Sequence, residues 1–396
     1  MAESTRVVPE LTESTLRQWD LLRAFQQALA RRYDPVRAHP SWSDPRRTCQ
    51  HAAYLSLFLF GLFNPVLKTL RALSAASVLP RVQREVSGHA LSLGSFSEAQ
   101  HLVDLGVLEA VFAELSAQVQ GPAPATVHEA WQQWFARDSS LFAALPRMSW
   151  ALYGGGRAGA KNNAVRLHLN FHLLEDKPAR MQVAPGKVCE RKVWREVWER
   201  GAGYVGDRYF AEGYALLGEL EAQGCRYVLR LRDEAIITVA EELPVTAADR
   251  TARVQRQAWA RLGTKIGHRV RIVWILTAQD EELRLITNVP PEQLSAAEVG
   301  LLYRRRWQIE CFFRWLKCLL GCRHWLAESQ PGVTLQLYLA LIAAVLLQLH
   351  TGRRPNRRML ELLQLHQLGW ASTTELLAGL EREQQREEKR QAKTKS

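Results

Sequence analysis

Between Tyr303 and Lys317 the chain reads YRRRWQIECFFRWLK. At about 3.6 residues per helical turn, Tyr303, Arg306, Glu310, Arg314 and Lys317 fall in one narrow stripe. Leu302, Ile309, Phe313, Leu316 and Leu320 form an adjoining apolar stripe suited to packing on a core. The polar stripe carries a phenol, cations and a single carboxylate. A carboxylate ringed by cations stays ionised at neutral pH, as a metal ligand must. The cations could hold a polyanion against it. The competing reading is a solvated face with Arg306–Glu310 and Glu310–Arg314 pairs at i,i+4, each worth only a few tenths of a kcal/mol. The stripe by itself leaves both readings open.

The spacing resembles a known signature. Tyr303, two residues, Arg306, three residues, Glu310, six residues and Lys317 match the Tyr–Arg–Glu–Lys pattern of bacterial insertion-sequence transposases of the DDE type, the insertion-sequence family four kind. LRLITNVP upstream and LLGCRH downstream are similar to that family too, as is SFSEAQ at Ser95–Gln100. The resemblance covers Ser95 to Leu349. It implies an RNase H-like catalytic domain and two further carboxylates. Asp138, in Asp138-Ser139-Ser140, is similar to the family's acid after its first strand. Asp207, in Gly206-Asp207-Arg208-Tyr209-Phe210, is similar to its second, although the family's glycine after the Arg is missing here.

Asp138, Asp207 and Glu310 are then the implied catalytic acids and metal ligands. Hard ions such as Mg2+ or Mn2+ suit such oxygen donors. The implied reaction is metal-dependent nicking at the element end, followed by attack of the freed 3′-hydroxyl on target DNA. Tyr303, Arg306, Arg314 and Lys317 become DNA-binding groups. Trp259 and Trp274 become candidates for stacking on a displaced base, with ordinary sheet packing as the alternative. The implied partners are double-stranded DNA, as terminal repeats and target, and a second copy of the chain. The implied location is the bacterial cytoplasm, at the nucleoid. Two other functions share these residues: an RNase H-like nuclease without strand transfer, and an inactive DNA-binding relic. Among rival acids, Asp176 suits a hairpin turn, Glu190 a helix start, and Asp233 and Glu234 the opening of an insertion.

The elements that must position these groups are legible in outline. Leu16–Tyr33 and Ala52–Ala76 have helical apolar spacing, and Ser95 with Glu98 reads as a capping box ahead of Ala99–Val119. GPAPAT at Gly121–Thr126 marks a boundary. Trp134–Arg137 reads as a short strand ending at Asp138. Leu167, Leu169, Phe171 and Leu173 alternate as in a half-buried strand, with a turn at Glu175–Pro178 leading into Arg180–Val183. Glu190–Glu199 and Glu212–Ala222 read as helices, and Tyr204–Gly206 and Arg226–Leu231 as strands. Ile236–Val239, Val270–Leu276 and Leu283–Thr287 suggest a β-rich insertion at 233–289, with a polar, Arg-rich stretch from Asp249 to His268 inside it. Ser295 and Glu298 form a second capping box, opening one long helix from Ala296 to Leu320 that Gly321 closes.

The expected fold class is α/β: an RNase H-like mixed sheet flanked by helices, with a helical N-terminal domain. The expected segments are a helical DNA-binding domain at 1–122, a catalytic domain at 123–350 and a basic helical tail at 351–396. A net charge of +12 over 396 residues favours an anionic partner without dictating a fold. Arg353, Arg354, Arg357 and Arg358 form a basic cluster, either a phosphate patch or a solvated face. The six cysteines are scattered without a CxxC pair, which fits a reducing cytosol. Cys318, Cys322 and His324 lack a fourth ligand of matching spacing. The polar opening MAESTRVVPELTES does not read as a secretory signal. Leu335–Leu349 falls short of the roughly 20 residues a membrane span needs, so it reads as a core helix.

Overall fold

A computed structural model describes residues 21–119, 133–155, 161–263, 268–321 and 325–395. The expected Gly121–Thr126 boundary, Cys322 and His324 lie outside them. Ten strands among the described residues join one sheet: β1 Trp134–Ala143, β2 Leu152–Gly155, β3 Lys161–His172, β4 Lys177–Pro185, β5 Gly203–Gly206, β6 Arg226–Arg230, β7 Ile237–Leu243, β8 Val254–Leu262, β9 His268–Leu276 and β10 Glu282–Thr287. Their order is β2-β3-β1-β5-β6-β10-β9-β8-β7, with β4 also on β3. β1, β5 and β6 run parallel. The helix Tyr214–Ala222 makes the crossover from β5 to β6. This strand order, with helices over the sheet, is the RNase H-like arrangement.

Several expectations are refined. β1 does not stop at Asp138 but continues to Ala143. Leu167, Leu169 and Phe171 are fully buried, as their alternation predicts, but His168 and Asn170 on the opposite face are buried too. The sheet is therefore covered on both sides there. The Arg-rich stretch from Asp249 to His268 contains β8, whose Val254, Ala258, Ala260 and Leu262 are buried. The strands of 233–289 extend the main sheet, because β10 returns to pair with β6.

The chain divides into two compact units. One comprises Gly121–Leu141 and Arg166–Phe313; the other comprises Met1–Gln120, Phe142–Val165 and Arg314–Ser396. In the sheet-bearing unit, one face packs on a cluster that includes Trp194, Tyr204, Phe210, Leu217 and Tyr227. Trp194 meets Phe210 edge to face with ring centres 4.7 Å apart, a favoured geometry for aromatic pairs. Over the other face lies the helix Ala296–Arg305, which contacts β5, β6, β8, β9 and β10. Phe312 follows on the next helix, 5.4 Å from the Phe171 ring.

The predicted long helix is two helices, Ala296–Arg305 and Trp307–Leu319. The predicted capping box starts the first: Ser295 Oγ accepts from Glu298 N, and Glu298 Oε2 accepts from Ser295 N. The break falls at Arg306. There the amide of Arg306 bonds Tyr303 O and that of Ile309 bonds Arg306 O, both at 3.1 Å and both reaching back three residues instead of four. Gly321, at φ 66°, closes the second helix.

In the helical unit, Gln330–Thr351 is a central helix touched by Leu21–Arg32, His51–Phe63 and Leu105–Gln118. It is longer than the apolar run predicted. At 22 residues it is long and apolar enough to cross a membrane, yet 89% of its most apolar window is buried in the protein. The span Ala52–Ala76 is two helices, His51–Phe63 and Leu70–Ser77, parted after Asn64-Pro65. The expected Ser95–Glu98 capping box is not formed. Ser92 caps the helix Leu93–Ala99, accepting from Ser95 N, and Asp104 caps Leu105–Gln118. Of the basic cluster, Arg357 pairs with Glu361 and Arg358 with Glu383.

Candidate active site

The parallel pairing of β1, β5 and β6 puts the key residues in one row. Trp134 pairs with Gly203 and Ala136 with Val205, an offset of 69 residues; carried two residues further, the same register brings Asp138 beside Asp207, whose charge acts on it. Gly203 pairs with Arg226, an offset of 23, so Asp207 falls beside Arg230. Neighbouring strands lie about 4.8 Å apart. Asp138, Asp207 and Arg230 therefore sit abreast where the short strands β5 and β6 end. The turn after Asp207 needs no glycine: Asp207 Oδ1 accepts from Tyr209 N at 3.0 Å, and Tyr209 has no positive φ. The missing family glycine is thus accommodated.

Arg306, at the helix break, reaches down to this row. Its Nη1 lies 3.5 Å from Asp138 Oδ2 and its Nη2 lies 2.6 Å from Glu310 Oε1. The guanidinium thus bridges two of the three predicted acids. Its carbon is 5.7 Å from the Tyr303 ring centre, within cation–π range. Its Nε is buried without a hydrogen-bond partner. Arg314 and Lys317 continue along the same helix, inside the helical unit. Arg314 is exposed, and the Lys317 ammonium lies 5.4 Å from the Phe142 ring.

Asp138 is the electrostatic centre. Burial pushes its pKa up to about 7; the charges of Asp207 and Glu190 add to this, while the Ser139 amide and Arg306 oppose it. Tyr303 is raised by burial, against Arg306 and Arg230. Among the described residues no three Asp, Glu, His or Cys side chains are grouped to hold a metal ion. Arg306 supplies the positive charge between Asp138 and Glu310. The donor set nevertheless fits a hard divalent cation. The three candidate acids would offer only carboxylate oxygens, and the charge of Asp207, just past β5, acts on Asp138 to raise its pKa.

Behind the row, on the opposite face of β1, is a second polar layer. Arg166 on β3 donates to Ser139 Oγ at 3.1 Å and to Gly186 O at 3.0 Å, and it pairs with Glu190. Rival Glu190 thus has a structural partner. Asp176 occupies the turn before β4 with φ 53°, ordinary chemistry for Asp in a turn. Trp274 is 7% exposed in the core, beneath Arg256. Trp259 is half-buried, with the Arg269 guanidinium 4.9 Å from its ring. Arg230 escaped the sequence reading. The signal that could have found it is its place at the end of a parallel strand, where α/β sheets gather functional groups.

A family model described as the transposase DDE domain matches residues 132–346. The chain belongs to this family. It is 28% identical over 205 residues to the "Probable transposase for insertion sequence element IS5377" of Geobacillus stearothermophilus, covering 51% of this chain and 52% of that protein. A Sinorhizobium fredii relative, whose name also carries the word transposase, is 25% identical over 223 residues, 55% of this chain and 61% of its own length. The chain therefore spans between half and two thirds of these relatives. Among solved structures, the piggyBac transposase synaptic complex with hairpin DNA is similar at a TM-score of 0.44 and 10% identity, over 93% of this chain and 77% of that one.

Proposed function

We propose that this protein is a DNA transposase that nicks the ends of an insertion sequence and joins the freed 3′-hydroxyl to target DNA. The observation that carries this reading is Asp138 on β1 beside Asp207, just past the end of the parallel strand β5, with Arg306 tying Asp138 to Glu310. In this reading Asp138, Asp207 and Glu310 hold divalent cations, Mg2+ or Mn2+. When bound, these would make the attacking oxygen nucleophilic and relieve charge on the leaving one. Arg306 offers a two-pronged contact to a backbone phosphate, and Lys317 a point charge. Tyr303 positions Arg306 through its ring and lines the path of the strand. Arg314, exposed on the helix, extends the phosphate track, and Arg230 adds a cation beside Asp207. The DNA is double-stranded, as terminal repeats and target. The working form is a dimer holding two element ends, in the bacterial cytoplasm at the nucleoid.

The test uses pre-cut element ends and a plasmid target with Mg2+. Joined products are expected from the wild type, and loss of at least about a hundredfold from D138A, D207A and E310A separately, in line with removal of a unit-acting catalytic group. Cleavage without joined ends would instead make the chain a nuclease of the same fold. Binding should also weaken steeply with salt, log affinity falling by about 0.9 per phosphate contacted for each unit of log salt. A flat response would remove the phosphate role of the cations.

A further inference from the structure

We infer that Arg306 competes with divalent metal for Asp138 and Glu310, and that a DNA phosphate relieves the competition, so that DNA and metal bind cooperatively. The inference rests on the reading of the three acids as metal ligands. One guanidinium touches both carboxylates, at 3.5 Å and 2.6 Å. An oxygen lone pair engaged by Arg306 is not available to a cation, and a fixed positive charge between two ligands repels one. The contact is also poised to change. Nε has no partner, so the donor fork is only partly satisfied. The residue sits at the junction of two helices, and the Tyr303 face lies within cation–π range. The guanidinium fork matches a phosphate as well as it matches a carboxylate. A backbone phosphate arriving at this edge can therefore take Arg306 from the acids. By linkage, whatever DNA adds to metal affinity, metal adds to DNA affinity.

The experiment measures Mn2+ binding to the full chain from the electron paramagnetic resonance signal of free Mn2+, with and without a short duplex of arbitrary sequence. For the wild type, duplex should tighten Mn2+ on the order of tenfold, within the usual span of such couplings. R306Q should bind Mn2+ more tightly than wild type without duplex and gain little on adding it. R306K keeps a charge that cannot span both acids and should fall between the two. R304Q removes an equal charge two residues away and should behave as wild type. Equal Mn2+ affinity of wild type and R306Q without duplex overturns the inference, as does an R304Q that matches R306Q. D138N and E310Q separate the two layers. If both lose Mn2+ while R306Q is unchanged, only the competition falls; if both keep it, the metal site falls and the competition with it.

Discussion

Asp138 is held between opposing forces, and its titration should show which one prevails. Burial, with Asp207 and Glu190, outweighs Ser139 and Arg306 and raises its pKa from 3.8 to about 7. A carboxyl raised on folding binds more protons in the folded than in the unfolded state between those values. Its contribution to stability is therefore greatest below pH 4 and is lost as pH rises toward 7. We expect the metal-free wild type to lose stability relative to D138N across that window, by a few kcal/mol at most. Urea midpoints measured at pH 4.5 and pH 7.5 on both proteins check this; parallel pH profiles would show that Asp138 is not strained. The Ser139 amide, and after it Arg306, keeps Asp138 from being raised further. The position of Arg306 at the break between two helices, rather than on one continuous stripe, is what lets it reach a strand and Glu310 together.

At the scale of elements, the site depends on where the helix Ala296–Arg305 begins. Its start is tied by the Ser295–Glu298 box and by Asp249, which is 1% exposed and whose Oδ1 accepts from Ala297 N at 2.8 Å. Arg271, fully buried on β9, donates to Val289 O and Leu294 O just before that helix. S295A should cost about 1 kcal/mol, the usual value of an N-cap. D249A should cost more, because it strands the donors of Thr246 and the Ala297 amide, which Asp249 accepts from together. Chemical denaturation of the two variants checks the order, and a D249A no weaker than S295A would show that Asp249 does not anchor the helix. The row of acids depends on close strand approach. A Cβ at Gly203 would lie 2.4 Å from the Trp134 indole. G203A should therefore disturb the β1–β5 pairing that sets Asp138 beside Asp207, and it should lower both thermal stability and strand-transfer activity.

Across the whole molecule, each unit holds a histidine whose surroundings keep it neutral, His168 fully buried and His51 half-buried. His168 is fully buried, with both ring nitrogens unpartnered; burial, then Arg137 and Arg166, lowers its pKa to about 3. His51, in the helical unit, is lowered by burial to about 4. A depressed histidine contributes stability that is fully present above pH 6.5 and is lost as pH falls toward the folded value. Stability should thus decline on acidification below pH 6.5. H168M, which replaces an unsatisfied ring by an apolar chain, should flatten that decline at little cost in stability at pH 7.5. An unchanged acid slope in urea unfolding would place the sensitivity elsewhere.

Local sequence pattern determined the parts governed by short-range physics. Periodicity marked most strands of the sheet, the Ser295–Glu298 pair marked a helix start, and the Tyr303–Lys317 spacing marked the family to which the chain belongs. It also placed Asp207 at a strand end before a turn. Tertiary structure alone decided what depends on neighbours distant in sequence. The polar stretch after Asp249 became a strand because Val254, Ala258 and Ala260 found a core to face, which no local periodicity shows. The alignment of Asp138, Asp207 and Arg230 came from the register of three parallel strands. The bridge from Arg306 to Asp138 came from a helix break and a sheet edge meeting across 168 residues of chain. Charges that lie far apart along a polymer acquire a shared potential only when packing brings them together, and packing is a property of the whole fold.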